Sequence, residues 1–153
     1  MNRTKLIAAI LGLALISPIP GAAQDKGMWR AASSNASAIT GDMIIAPNKL
    51  TLDFLAFPLA QIRALTPTEI SAVFDADGNV AQAGNLYRLN IAAGQRFLHH
   101  NTLCGTEDTQ WMATYIEGRA LHVAFFSGPN MPVFKFEVIS NSTDLCGIFT
   151  YSR

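Results

Sequence analysis

The chain of 153 residues is half apolar and carries 11 Lys and Arg against 11 Asp and Glu, only 14% charged residues in all. It has no run of Lys and Arg and no interleaving of cations with aromatic residues, which excludes a nucleic-acid-binding surface of the usual electrostatic kind. A chain of this length builds one domain with a real core and is too short for two.

The first residues read MNRTKLIAAILGLALISPIPGAAQ. Arg3 and Lys5 precede an uncharged apolar run from Leu6 to Ile16, and Pro18, Pro20, Gly21 and Ala23 follow it. This order predicts a secretory signal peptide over residues 1–23, cut after Ala23, and a single periplasmic or secreted domain over residues 24–153. The apolar run falls well short of the roughly 20 residues that span a bilayer, so no membrane span is expected in the mature form. Arg3 and Lys5 leave with the peptide, so 9 cations then face 11 carboxylates.

In the mature region, strand-like composition marks residues 28–33, 38–45 and 49–54, with Pro47 and Asn48 as a turn between the last two. Residues 59–65 and 86–91 are two further strand candidates. Between them, Thr66-Pro67-Thr68-Glu69 has the form of a capping box, with Pro67 at the first helical position. Ile70, Val73 and Phe74 then make the stripe of a short helix near 66–74. The same β-branched residues also suit a strand, and the cap tips the reading towards the helix. Asp75-Ala76-Asp77-Gly78-Asn79 reads as a surface turn. It fails as a calcium loop, because the sixth and twelfth positions, which need Gly and Glu, hold Val80 and Leu86.

Apolar residues in the second half recur with a period near 2. Trp111, Ala113 and Tyr115 alternate with Met112, Thr114 and Ile116, and Glu117-Gly118-Arg119 supplies a tight connection. Leu121, Val123 and Phe125 share a face with His122 opposite. After a turn at Ser127-Gly128-Pro129-Asn130, Phe134, Phe136 and Val138 share a face with Lys135 and Glu137 opposite. Residues 109–139 thus read as a three-strand antiparallel meander, and 145–151 as a last strand. About eight short strands in one small domain predict an all-β fold, a single antiparallel up-and-down β-barrel, since closure removes exposed edges.

Cys104 and Cys146 are the only cysteines, each inside Leu-Cys-Gly and 42 positions apart. Structural zinc needs four ligands and a redox site needs Cys-x-x-Cys, whereas an exported chain with one pair favours a disulfide. Of the three histidines, His99 and His100 are adjacent and would point to opposite faces of a strand, and His122 reads as an outward strand residue. No Gly-x-Ser-x-Gly, no phosphate-cradling glycine loop and no carboxylate pair occurs. No catalytic residue, metal or cofactor is therefore expected, and the chain reads as a non-enzymatic protein. Asn35-Ala36-Ser37 and Asn141-Ser142-Thr143 match the N-glycosylation pattern, which matters only in a eukaryotic secretory route.

Gly27-Met28-Trp29 at the first strand, with Arg153 just past the last, resembles lipocalin-like (calycin-type) barrels. The resemblance implies that Gly27, Trp29 and Arg153 close one end of the barrel, with Arg153 over the Trp29 ring. The signal peptide, short strands and cysteine pair also resemble small exported bacterial barrels, among them inhibitors of lysozyme and of secreted metalloproteases, to which residues 121–127 are similar in character. Residues 101–105 with Trp111-Met112, and residues 145–151, look similar to periplasmic proteins of alphaproteobacteria, a likeness that implies no activity. Two functions follow as expectations. One is binding to another protein through the barrel mouth or through a loop of Ser127, Gly128, Pro129, Asn130, Met131 and Pro132, whose prolines lower the cost of ordering. The other is carriage of a small apolar ligand in the lumen, against which nine Phe argue by filling it.

Overall fold

The computed structural model describes residues 24–78 and 83–153. The predicted signal peptide and Asn79 of the predicted turn lie outside them. Alternating apolar residues produce eight strands: β1 (Gly27–Ala31), β2 (Met43–Ala46), β3 (Lys49–Leu52), β4 (Leu55–Ala64), β5 (Ala83–Ile91), β6 (Thr109–Glu117), β7 (Ala120–Ser127) and β8 (Leu145–Ser152). Each pairs antiparallel with the next, and β8 returns to β1 through Arg30↔Ser152 and Ala31↔Tyr151, closing the barrel. Trp29, Met43, Leu50, Leu59, Tyr87, Met112, Val123, Phe125, Phe149 and Tyr151 point inward and fill it as one packed cluster.

The expected strand over 38–45 survives only from Met43 onward. Residues Ala36–Thr40 wind into a single π-type turn, because the Asn35 side chain accepts from the Ala36 N–H and the Thr40 hydroxyl bonds the Ala36 carbonyl and the Tyr151 hydroxyl. The expected helix near 66–74 is present as α1 (Pro67–Phe74). The Thr66 hydroxyl accepts from Glu69 N–H at 3.3 Å, and the Glu69 carboxylate accepts from Thr66 N–H at 2.9 Å. Glu69 also takes a bidentate pair of bonds, both 2.8 Å, from Arg63 of β4, tying the helix to the barrel.

The expected strand over 133–139 is a correction. Phe136–Ile139 form one α-helical turn, α2, inside a long connection from β7 to β8. The reason lies in the ladder: β7 spends its free edge on β8 from Ala120 to Phe126, so no edge is left for the 133–139 segment. The meander is β6-β7-β8. The 133–139 segment instead lies across the outer face of the barrel, where Phe134 and Ile139 join Ile70 and Val73 of α1 over Leu86, Trp111, Ala113, Tyr115, Ala124 and Phe126. Strands β5 to β7 are therefore buried on both faces, which explains the nearly unbroken burial along β6 and β7. Gly84 permits this layer, since a Cβ there would collide with the Thr114 carbonyl and crowd Ile70.

Candidate functional site

Both ends of the barrel are closed by the chain itself. At the floor, residues 24–26 run beneath the strands, and Asp25 is buried with its carboxylate accepting from Tyr87 Oη at 2.8 Å, Thr114 Oγ1 at 2.7 Å and Asn85 Nδ2 at 2.9 Å. Lys26 Nζ stands 3.7 Å from the same carboxylate. The Asp25 carbonyl accepts from Trp29 Nε1 at 2.8 Å, and Arg153 lies 4.0 Å over the Trp29 ring while its guanidinium donates to the Gln24 and Lys26 carbonyls. Gly27, at φ +119, adopts a turn of the backbone that a side chain would strain. Burial of the phenol and the neighbouring Asp25 charge both push the Tyr87 pKa up.

At the mouth, the connections β1–β2 and β5–β6 fold over the lumen. Ala36, Phe97 and Leu103 belong to the interior cluster, and Asn101 Nδ2 reaches the Ala38 carbonyl at 3.2 Å to join the two loops. The Cys104–Cys146 disulfide, with Cα atoms 4.9 Å apart, fastens the β5–β6 connection to β8.

The outer surface is most distinctive on the β7–β8 connection, residues 128–144. Its base is pinned where Ser127 N–H meets the Asp144 carbonyl at 2.8 Å, and where Gly128, at φ +85, lies so close to Asp144 that a Cβ would stand 3.1 Å from its carboxylate. Among the described residues, no hydrogen bond leaves 128–143 for the strands or for α1. Side-chain packing alone holds the segment down: Phe134 meets Phe126 edge to face at 6.0 Å and sits under the Arg63 guanidinium at 5.9 Å, and Ile139 is buried beside it. Trp111 Nε1, beneath this layer, is a buried donor with no hydrogen-bond partner among the described residues.

On the solvent side of the connection, four apolar side chains stand exposed among polar ones such as Asn130, Lys135 and Glu137. Met131 is 47% exposed, Val133 52%, Phe136 65% and Val138 42%. Two concavities flank the buried Phe134. One, of about 560 Å3, opens between α1 and residues 134–137, with Ser71, Asp75 and Lys135 among its polar groups. The other, of about 200 Å3, is lined by Asn130, Met131, Pro132, Val133 and Val138. The sequence-predicted loop thus splits: Ser127 is buried as the hinge, Gly128 forms the bend, Pro129 leads into the turn, and Asn130, Met131 and Pro132 line the smaller recess. Val133, Phe136 and Val138 were missed, because a strand with period 2 sends Phe136 and Val138 inward. The two prolines ahead of them were the signal against a strand.

The histidines do not converge. His99 and His100 occupy a 3-10 turn at φ 54 and 63, and His122 on the outer face of β7 stacks on Tyr115 at 5.4 Å, with Thr150 Oγ1 at 3.2 Å and Glu117 at 3.4 Å. Among the described residues, no group of three or more His, Cys, Asp or Glu is placed to hold a metal ion, and no helix is long and apolar enough to cross a membrane. Comparison with known proteins finds no match: no family model, no curated protein and no solved structure is similar to the chain.

Proposed function

We propose that this chain is an exported, non-enzymatic binding protein of the lipocalin-like kind, acting in the periplasm or outside the cell, and that it engages another protein through the β7–β8 connection. The observation that carries the reading is the exposure of Met131, Val133, Phe136 and Val138 on a single segment that packing alone fastens to a rigid barrel. Clustered apolar side chains of this kind, around recesses that accept a partner's anchor residues, are the usual centre of a protein interface. The filled lumen and covered mouth leave the outer surface as the place for recognition. By its resemblance to exported inhibitor barrels, the partner class is an enzyme that damages the cell envelope, such as a lysozyme or a secreted metalloprotease. Export rests on the signal-peptide pattern and agrees with the disulfide.

The test is calorimetric titration of the mature protein against a panel of lysozymes and secreted metalloproteases, with inhibition assayed in parallel. Binding that Met131→Ser with Phe136→Ser weakens supports the reading. Absence of binding and inhibition across the panel removes the envelope-enzyme assignment.

A further inference from the structure

On the β1–β2 side of the barrel, away from the β7–β8 connection, two concavities meet at Met28, which lines both. The first, of about 520 Å3, is bounded by the side chains of Arg30, Arg119 and Arg153. None of the ion pairs among the described residues uses any of these three. Arg153 is pinned over Trp29 by its bonds to the Gln24 and Lys26 carbonyls, and Arg119 Nε donates to the Arg153 main-chain oxygen at 2.6 Å. The Arg30 guanidinium has no partner among the described residues. Even with a carboxylate at Arg153 set against Arg119, two cations in the cradle remain without an anion among the described residues. Two fixed guanidiniums and one uncommitted one form a preorganised seat for a carboxylate or phosphate.

The second concavity, of about 270 Å3, continues from Met28 along Ile44, Phe54 and Leu98. Met28 is 60% exposed and Phe54 98%. Phe54 sits at the β3–β4 turn in the left-handed region, φ 63, directly after Asp53 at φ 46. A bulky aromatic in that conformation is strained, and a fully exposed one gains nothing from burial. Its ring nonetheless walls the apolar trough. Asp42 and Asp53 line the same trough and repel an anion there, which sets the direction of any charged ligand.

We propose that this groove binds one anionic single-chain amphiphile, with its carboxylate or phosphate head on Arg30, Arg119 and Arg153 and its alkyl chain along Met28, Ile44, Phe54 and Leu98. The assignment is independent of the protein-binding surface on the β7–β8 connection. The test titrates the exported protein with sodium dodecanoate below its micelle concentration, beside 1-dodecanol, acetate, and vesicles of phosphatidylglycerol. Dodecanoate is expected to bind one to one, at least tenfold more tightly than dodecanol or acetate. Arg30→Ala should weaken it about tenfold with the thermal midpoint unchanged, because that guanidinium supports no contact of the fold. Phe54→Asn, which suits the left-handed turn, should weaken it severalfold without loss of stability. Equal binding of dodecanol, an unaltered Kd in Arg30→Ala, or no binding at all would overturn the proposal. Attachment to the vesicles without capture of free dodecanoate would overturn it in favour of a membrane-surface role.

Discussion

Asp25 shows how a single side chain organises one end of the molecule. A buried carboxylate is tolerated when its lone pairs are met, and here three side-chain donors and Lys26 meet them. Asp25→Ala strands the Tyr87, Asn85 and Thr114 donors, so urea unfolding is expected to show a loss of about 3 kcal/mol. The tyrosines offer a spectroscopic check. Burial raises the pKa of Tyr87, Tyr115 and Tyr151, which are the three tyrosines of the chain. A raised folded pKa means that stability is intact below the unfolded value near 10 and is lost as pH climbs through the folded values. In an alkaline titration followed by ultraviolet absorbance, phenolate should fail to appear with an ordinary midpoint near 10 and should rise together with unfolding. The expectation for Trp29 rested on the resemblance carried by Gly27-Met28-Trp29 rather than on patterning. Asp25 carried no such signal, because nothing about a lone acid just ahead of the first strand says that it faces inward.

At the scale of elements, the capping box at Thr66 was readable because its four residues act locally and need no tertiary partner. The Arg63–Glu69 pair that docks α1 was not, because its two members belong to different elements. Arg63 and the cap hold the Glu69 pKa below the usual carboxylate range. Its contribution is therefore present above the unfolded pKa near 4.3 and is lost as pH falls through the folded value. With Arg63 partly solvated, Glu69→Gln is expected to cost about 0.5–1 kcal/mol at pH 7, a difference that shrinks towards zero in acid. The disulfide was also legible, by cysteine count together with the expectation of export. It closes a loop of 42 positions, for which chain entropy gives about 4 kcal/mol as an upper figure. Cys104→Ser with Cys146→Ser should lower the denaturation midpoint accordingly, and reduction of the native protein should do the same. The β7–β8 connection was misread because alternation of Phe134, Phe136 and Val138 looks the same whether a segment joins a ladder or lies across one. Only the global pairing of β7 with β8 decides between them.

For the whole molecule, period-2 patterning and short spacing were enough to specify a closed barrel, since closure is the general remedy for exposed edges. What they left unspecified is the asymmetry of its outside. One wall is roofed by α1 and the β7–β8 connection over a second apolar layer, and the roof turns four apolar side chains to solvent. Under the proposed function, the barrel is the scaffold and the roof is the recognition surface. Patterning cannot reveal this division, because a strand buried on both faces and a strand with a variable partner segment differ only in what packs on them. The most direct measurement is titration of residues 24–153 and of their Met131→Ser, Phe136→Ser variant against the panel of lysozymes and secreted metalloproteases. At least one member is expected to bind the native protein, and the variant, with an unchanged fold by circular dichroism, is expected to bind it at least tenfold more weakly, as loss of two central apolar anchors implies. Equal affinity of the two proteins, or no binding to any member, would contradict it.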